Sequence, residues 1–565
     1  MLRAGVIEEG AMQALHGGSP LGATDTATAP PPPAAVGPST GGGPDRGAAR
    51  EGRLRNFLGE PAERFAAIEK TPQRLKALAH MMTRTAGTRE RDSKIPAGFT
   101  YLLQFVVHDL VDTEPSVLEA PHVEPGDRGN RRRKPLRLET LYGDGAGRAA
   151  ERDESDADKL LVGPMAPGGA GKGGAAPRRD APRCPLAQAG EEPPFWRTLL
   201  ADEKNDTNVV LSQLTVLFTM LHNELVEAQG KGAEGRFDKA RQATTLIYRH
   251  ILRQEVLPKI IHPAVWKLYD GGFERLEPGP TSALPVEFTH GAFRFGHAMA
   301  QHRYQLNQAT EDYPTRITDL LRQTAERAGR EDLPLTADWI VAWSRFFGFE
   351  GRTEPNYARR IGPTVIGSLT AETLFPPKGA AGMPGLVHRD LMSSALAGLW
   401  SVRALIRRLR EDERLEQLRD LLPGSDAELR AQVRGWLEKN RHPEFQLEDA
   451  DVAALTDDPP MSFYVLLEAE LARQKEGYAD VETLGPLGSV VVAEVMLGIL
   501  DHEDPEFGRA GGPLADKLTG VSKAFHGLGN FDTMAGLIHF VDERRPHPSS
   551  KVPAPRSADP EPDLV

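Results

Sequence analysis

The stretch at residues 95–115, IPAGFTYLLQFVVHDLVDTEP, decides how the chain reads. A Pro-Ala-Gly turn leads into an apolar run that carries Gln104 and His108 four residues apart, with Asp109 next. At 3.6 residues per turn, positions i and i+4 stack on one face of a helix. An amide and an imidazole therefore share the same space on an otherwise oily helix of Leu102, Phe105, Val106 and Leu110. Taken alone, this is a buried histidine paired with a neighbour. The rest of the chain changes that reading.

Outward from this helix the periodicity stays helical. Leu214, Leu217, Phe218, Leu221 and Leu225 recur at i, i+3, i+4, i+7 and i+11, which predicts one buried stripe on a long helix. Leu246, Ile247, Ile251, Leu252, Val256 and Leu257 predict a second that ends before Pro258. Thr336 is placed to cap a third over ADWIVAWSRFF. Residues 404–418 and 462–471 predict two more, and Gly485-Pro486 opens the last, with proline near the first helical position. No alternating runs bounded by turn residues predict a substantial sheet. The fold class expected is all-α: one large, mainly helical domain over residues 53–544 with very little β-structure.

The margins have a different composition. Residues 1–52 and 545–565 are rich in Ala, Gly and Pro or in Pro and charge, and cannot bury enough apolar surface to offset their ordering entropy. Residues 164–194 read the same way, as a disordered Gly/Pro-rich insertion. The GAGKGG within it lacks the spacing and the following Ser or Thr of a phosphate loop. The 565 residues hold 68 Lys and Arg against 80 Asp and Glu, a net charge of −12, which argues against nucleic acid as the main partner. No run approaches eighteen apolar residues, so no transmembrane segment is expected, and the N-terminus is not a convincing secretory signal. The single cysteine, Cys184, excludes an intramolecular disulfide framework.

A second stretch carries chemistry. In residues 284–307, LPVEFTHGAFRFGHAMAQHRYQLN, His297 follows Arg294-Phe295-Gly296. Glycine before a histidine lets a flat cofactor approach the backbone closely. Two histidines on separate segments of a helical protein suggest a haem between them, one ligating iron and one facing the open position. Two core histidines would look the same.

Six segments then resemble, in order, those of the animal-type haem peroxidase superfamily, and in particular its bacterial members. They are IPAGFTYLLQFVVHD, ADEKNDTNVVLSQLTVLFTMLHNELV, LPVEFTHGAFRFGHAM, RDLMSSALAGL, PMSFYVLLEAEL and LGPLGSVVVAEVMLGIL, spread over roughly residues 53–535. The resemblance implies a peroxidase that takes hydrogen peroxide and a small reducing substrate. His108 would be the distal acid–base group, and Gln104 the amide that orders water or halide beside it. His297 would be the proximal iron ligand, Asp390 the partner of its far nitrogen, and Arg294 a contact to a haem propionate. The family's catalytic arginine falls on Lys204, which keeps the charge and loses the planar fork. His222, in LHNELV, reads as structural.

The departures are specific. Val107 and Thr207 stand where mammalian members carry the carboxylates that esterify haem, so haem b bound without covalent links is expected. The family's arginine three residues after Asp390 is Ser393. Calcium would use Asp109 and the loop 136–143, LRLETLYG, but Arg137 replaces an aspartate there, and the expectation is that Arg137 pairs with Asp109 in place of the ion. Two other functions fit the same motifs. A fatty-acid dioxygenase similar to cyclooxygenases would need a tyrosine three residues before His297, where Arg294 stands. A haem-binding protein with little turnover would tolerate Lys204, Arg137 and Ser393.

Overall fold

The computed structural model describes residues 52–65, 71–84, 92–143, 149–166, 178–185, 196–277, 283–349, 354–475 and 477–546. But for their inner ends, the tails expected at 1–52 and 545–565 lie outside these residues. GAGKGG lies outside them entirely.

The helices that frame the interior are α1 (Thr71–Met82), α2 (Gly98–Leu110), α3 (Val209–Ala228), α4 (Arg236–Ile251), α5 (Leu386–Leu396), α6 (Val402–Glu411), α7 (Met461–Ala472) and α8 (Pro486–Leu500). Strands among the described residues run two to five residues and pair only two by two, in seven separate ladders. The mainly helical expectation holds. Within the expected disordered insertion, however, Arg178–Asp180 pairs with Gly163–Pro164, and Arg183–Pro185 with Trp196–Thr198. Arg183 explains the order at this point, because its guanidinium bridges the buried carboxylates of Asp180 and Asp206.

α3 starts where the Asn208 side chain accepts the Leu211 N–H at 2.8 Å, a side-chain cap on an otherwise unpaired amide. It is buried along nearly its whole length and packs on α2 and α4. α4 does not stop before Pro258. A π-helical turn at Leu252–Val256 carries it into Leu257–Ile260, so Pro258 follows directly on a turn whose bonding pattern already departs from the α-helix. Residues 404–418 divide at Asp412, which ends α6 and caps a separate 3-10 turn, Glu413–Leu418.

The helix expected over ADWIVAWSRFF is absent, and only the 3-10 turns Ala337–Trp339 and Trp343–Arg345 form. The backbone of this run is bonded elsewhere: Ala342 N–H to Leu306 O, Asn356 N–H to Arg345 O, and Gly98 N–H to Phe346 O. Trp343, Phe346 and Phe347 are buried without a helical period, because they fill the space beside the start of α2.

α2 lies on α3 and on an irregular segment in which a π-helical turn, Glu287–Gly291, passes into a 3-10 stretch, Ala292–Met299. That segment is backed by α5, α7 and α8. α7 holds the start of α8 through Glu468, whose carboxylate accepts the Leu487 and Gly488 N–H groups at 2.8 and 3.2 Å. Burial pushes that carboxyl up to about 7.

Gly98 fixes where α2 begins. A Cβ there would sit 2.5 Å from Phe346 O and 2.6 Å from the Phe347 ring. Gly98→Ala is therefore expected to cost about 2 kcal/mol by overpacking, read as a lower melting midpoint in a thermal unfolding curve.

Candidate functional site

Between α2 and the 292–300 segment lies a cavity of about 100 Å³ that opens to solvent. Gln104 and His108 line one wall, as their i, i+4 spacing requires, together with Val107 and Val111. The opposite wall carries Arg294, Gly296 and His297. Leu321, Phe375 and Leu386 line it as well. The two histidines singled out from the sequence therefore face one cavity. His290 and His302, close to His297 in the chain, do not line it: His290 is buried against the Thr289 hydroxyl at 2.7 Å, and His302 lies near Ser368.

The polarity of the Gln104/His108 wall is set from the backbone outward. Asn205 Nδ2 donates to the Thr140 carbonyl at 3.3 Å and to the Thr140 hydroxyl at 2.9 Å, so Asn205 Oδ1 is the face left for His108. His108 Nδ1 lies 2.9 Å from that oxygen and must carry the proton. His108 Nε2 is then the bare nitrogen. It is fully buried, has no partner in the protein, and belongs to a residue that lines the cavity. Burial is the largest cause that drops the His108 pKa to about 4, with Lys204 and Arg132 adding to it against the opposing pull of Asp202 and Asn205. The imidazole is a neutral base at pH 7.

Gln104 is oriented by the same logic. The Asn208 oxygen is taken by the Leu211 N–H, so the Asn208 amide donates to Gln104 Oε1, at 3.2 Å. Gln104 Nε2 is left buried and without a partner, on the same wall as His108 Nε2. One acceptor and one donor thus face the cavity together.

Across from them, His297 Nδ1 lies 2.6 Å from Asp390 Oδ2. A carboxylate on Nδ1 fixes the tautomer in which Nε2 holds the free lone pair. Gly296 has open space where a Cβ would stand, so a flat group meets no side chain at this position. Arg294, expected to meet a propionate, lines the cavity beside His297. Its guanidinium donates to Asp390 Oδ1 at 3.1 Å and to the Thr289 carbonyl at 3.0 Å, so Asp390 ties both groups of this wall together.

Lys204 is not brought into the cavity lining. Its ammonium lies 3.2 Å from Asp112 and 3.8 Å from Asp202, 7% exposed, within a charged cluster behind His108. Arg132 completes that cluster by pairing with Asp202 and by donating to the His108 carbonyl at 2.8 Å. Burial pushes the Asp202 carboxyl up, but Lys204 and Arg132 outweigh it and the net direction is down. Asn205, Thr140, Asp202 and Arg132 were not singled out from the sequence. Asn205 and Asp202 flank Lys204 within a motif already quoted, and only the folded chain shows which of the three meets His108.

The expected Arg137–Asp109 pair does not form. Arg137 pairs with Asp504 and Glu506, at 2.6 and 3.0 Å. Asp109 instead accepts the Leu138 and Thr140 N–H groups at 3.0 and 3.2 Å, in a loop that Leu136 and Leu138 turn through left-handed conformations. Amide hydrogens converge on this carboxylate where a cation would need oxygens. Burial raises the Asp109 carboxyl to about 6 against these donors and Arg132. Val107 lines the cavity and the Thr207 hydroxyl donates to the Lys204 carbonyl. His222 is buried with both nitrogens engaged, by the Tyr142 hydroxyl and by Asp158 O, each at 3.0 Å.

Asp109→Ala would leave two buried amides unpaired at about 1–3 kcal/mol each, and should lower the urea midpoint without changing the slope of the transition. Lys204→Met is expected to act on the same measurement, by leaving Asp112 and Asp202 with less counter-charge.

Residues 155–333 match the animal haem peroxidase family, a span that contains Lys204 and His297. Among solved structures, the chain is similar to peroxidase A from Dictyostelium discoideum at 16% identity and a TM-score of 0.49, over 84% of this chain and 93% of that one. It is also similar to the fatty acid alpha-dioxygenase of Oryza sativa, at 13% identity and a TM-score of 0.51, over 89% of this chain and 83% of that one. No curated protein sequence matches the chain. The mainly helical fold is shared with that dioxygenase, and the stretch from residue 155 to residue 333 is similar to the animal haem peroxidase domain.

Proposed function

We propose that the chain is a peroxidase that binds haem b without covalent links, reduces hydrogen peroxide and oxidises a small electron donor. The observation that carries this reading is the bare, unpartnered Nε2 of His108, facing the cavity whose other wall holds His297 backed by Asp390. The residues present fit haem: an orphaned buried nitrogen on one side, a carboxylate-oriented imidazole on the other, and open space over Gly296. His297 would hold the iron through Nε2. Val107 and Thr207 offer no carboxylate for an ester to the porphyrin. When bound, haem supplies the two electrons that cleavage of the O–O bond consumes.

The chain's own residues manage the proton. His108 Nε2 takes a proton from one oxygen of hydrogen peroxide and returns it to the other, which leaves as water. The Asn205 oxygen holds the Nδ1 proton throughout, so the transferred proton can reside only on Nε2. The Gln104 amide donates to the departing oxygen, a neutral donor in the position where a cation is expected and Lys204 is turned away. Asp390 accepts a hydrogen bond from the His297 Nδ1–H and so orients the ring with Nε2 toward the position the iron would take. The dioxygenase alternative needs a tyrosine three residues before His297, and Arg294 fills that position with its guanidinium on Asp390.

His108→Ala should keep the Soret band and lower the rate of reaction with hydrogen peroxide by about 10²–10⁴-fold. Gln104→Leu should lower it by about 10²-fold with haem retained. Because the base form of His108 is the active one and its pKa lies near 4, the rate should stay level from pH 8 to about 5 and fall as pH drops through about 4. Stopped-flow absorption measures all three. A rate that falls through pH 6.5 would remove His108 as the base, and oxygen uptake with linoleate would favour the dioxygenase.

A further inference from the structure

Thr100, Gln104 and His108 recur every four residues along the cavity wall of α2, and each carries a buried polar atom with no hydrogen-bond partner. The reaction with hydrogen peroxide uses the last two. We infer that Thr100 anchors the electron donor, and that the donor is a neutral para-quinol. The inference rests on the reading that the cavity takes haem.

Helical threonines elsewhere in the chain satisfy themselves. Thr215, Thr219, Thr244 and Thr245, in α3 and α4, each donate to the carbonyl four residues back, at 2.8 to 3.0 Å. Thr100 has no such carbonyl within its helix. It is the third residue of α2, and four residues back is Pro96, in a strand paired with Tyr357. The Thr100 hydroxyl is left bare on a residue only 9% exposed. A buried hydroxyl without a partner is costly, and a ligand oxygen would satisfy it. Tyr101, next in sequence, instead sets its ring edge-on to Tyr304 at 5.7 Å, where the two hydroxyls interact.

Helical rise sets the length of the donor. Along the axis Thr100 stands about 6 Å from Gln104 and about 12 Å from His108, on the same face. One benzene ring with an oxygen at each end bridges the first gap. Once the peroxide is reduced, Gln104 Nε2 and His108 Nε2 are free again, a donor and an acceptor that can engage one hydroxyl together. Thr100 takes the hydroxyl at the far side of the ring. The lining also fixes the charge. Leu103, Ile317, Leu369 and Phe375 are apolar. Among the described residues no carboxylate lines the cavity, and Arg294, which does, is held by Asp390. A charged donor would lose its hydration there without gaining a counter-ion, whereas a neutral ring would not.

Atoms and electrons balance. The quinol gives up its two O–H hydrogens as two electrons and two protons and becomes the quinone. Hydrogen peroxide accepts both electrons and both protons and becomes two waters. The proton of the hydroxyl beside His108 passes to its Nε2, and the other leaves through the opening to solvent.

The test is a Soret difference titration of the haem-loaded, full-length chain, under nitrogen and without peroxide, with hydroquinone and with phenol. Phenol keeps the ring and one hydroxyl and lacks the second. The wild type should bind hydroquinone about tenfold more tightly than phenol. Thr100→Val keeps the branched shape and removes the hydroxyl. It should weaken hydroquinone by about tenfold, leave phenol unchanged, and so close the gap. Thr100→Ser, which keeps a hydroxyl, should retain the preference. Equal wild-type affinity for the two ligands, or equal loss of both in Thr100→Val, overturns the anchor while leaving the haem reading intact. If the chain gives no Soret band with ferric protoporphyrin IX, the haem reading fails and the anchor with it.

Discussion

The hydrogen bond from His108 Nδ1 to Asn205 Oδ1 is the constraint on which the cavity's chemistry depends. An imidazole in an apolar space can present either nitrogen with or without a proton. Here the choice is removed, because Asn205 is oriented by the Thr140 carbonyl, which can only accept. The backbone of the 136–143 loop therefore determines which nitrogen of a side chain on α2 is basic. That loop is itself held by Asp109, the residue after His108, so helix, loop and imidazole are mutually fixed.

Behind this pair sits a charged cluster that a purely apolar core would lack. Arg132 holds the His108 carbonyl and Asp202, and Lys204 lies against Asp112 and Asp202. Buried ions are costly singly and tolerable when paired and bonded. Their cations act on His108 through the protein interior and push its pKa in the same direction as burial. Burial is what keeps the base neutral, with Lys204 and Arg132 adding to it and Asp202 pulling the other way, while the donor beside the base on the α2 wall is the neutral Gln104 amide.

What the sequence made legible follows from the range of each interaction. The facing of Gln104 and His108 is a consequence of helical pitch, readable over four residues. The Asp390 partner of His297 is 93 residues away and became visible only through resemblance. Arg137 finds Asp504, 367 residues on, in preference to Asp109, a choice no local pattern encodes. Lys204, Asn205 and Asp202 were adjacent letters whose side chains diverge in a 3-10 turn, so spacing alone could not say which meets the imidazole. The ADWIVAWSRFF run has the hydropathy of a buried helix, but its amides and carbonyls are claimed by the start of α2 and by the 305–307 and 356 segments. Hydrophobic pattern predicted its burial correctly and its conformation wrongly.

α3 has a consequence for how the chain is read. Its twenty residues, Val209–Ala228, are long and apolar enough to cross a bilayer by length and composition, yet the folded chain covers that stretch completely. Its polar side chains add to the disguise, since Ser212, Thr215 and Thr219 turn their hydroxyls back onto carbonyls of the same helix. By length and composition alone the stretch cannot be told from a membrane span, and its burial against α2 and α4 is what marks it as a core helix. α8, which completes the wall behind the 292–299 segment, is synthesised some 260 residues later. α3 is covered chiefly by its near neighbours in the chain, α2 before it and α4 after it, whereas the wall behind the 292–299 segment depends on helices far along the sequence.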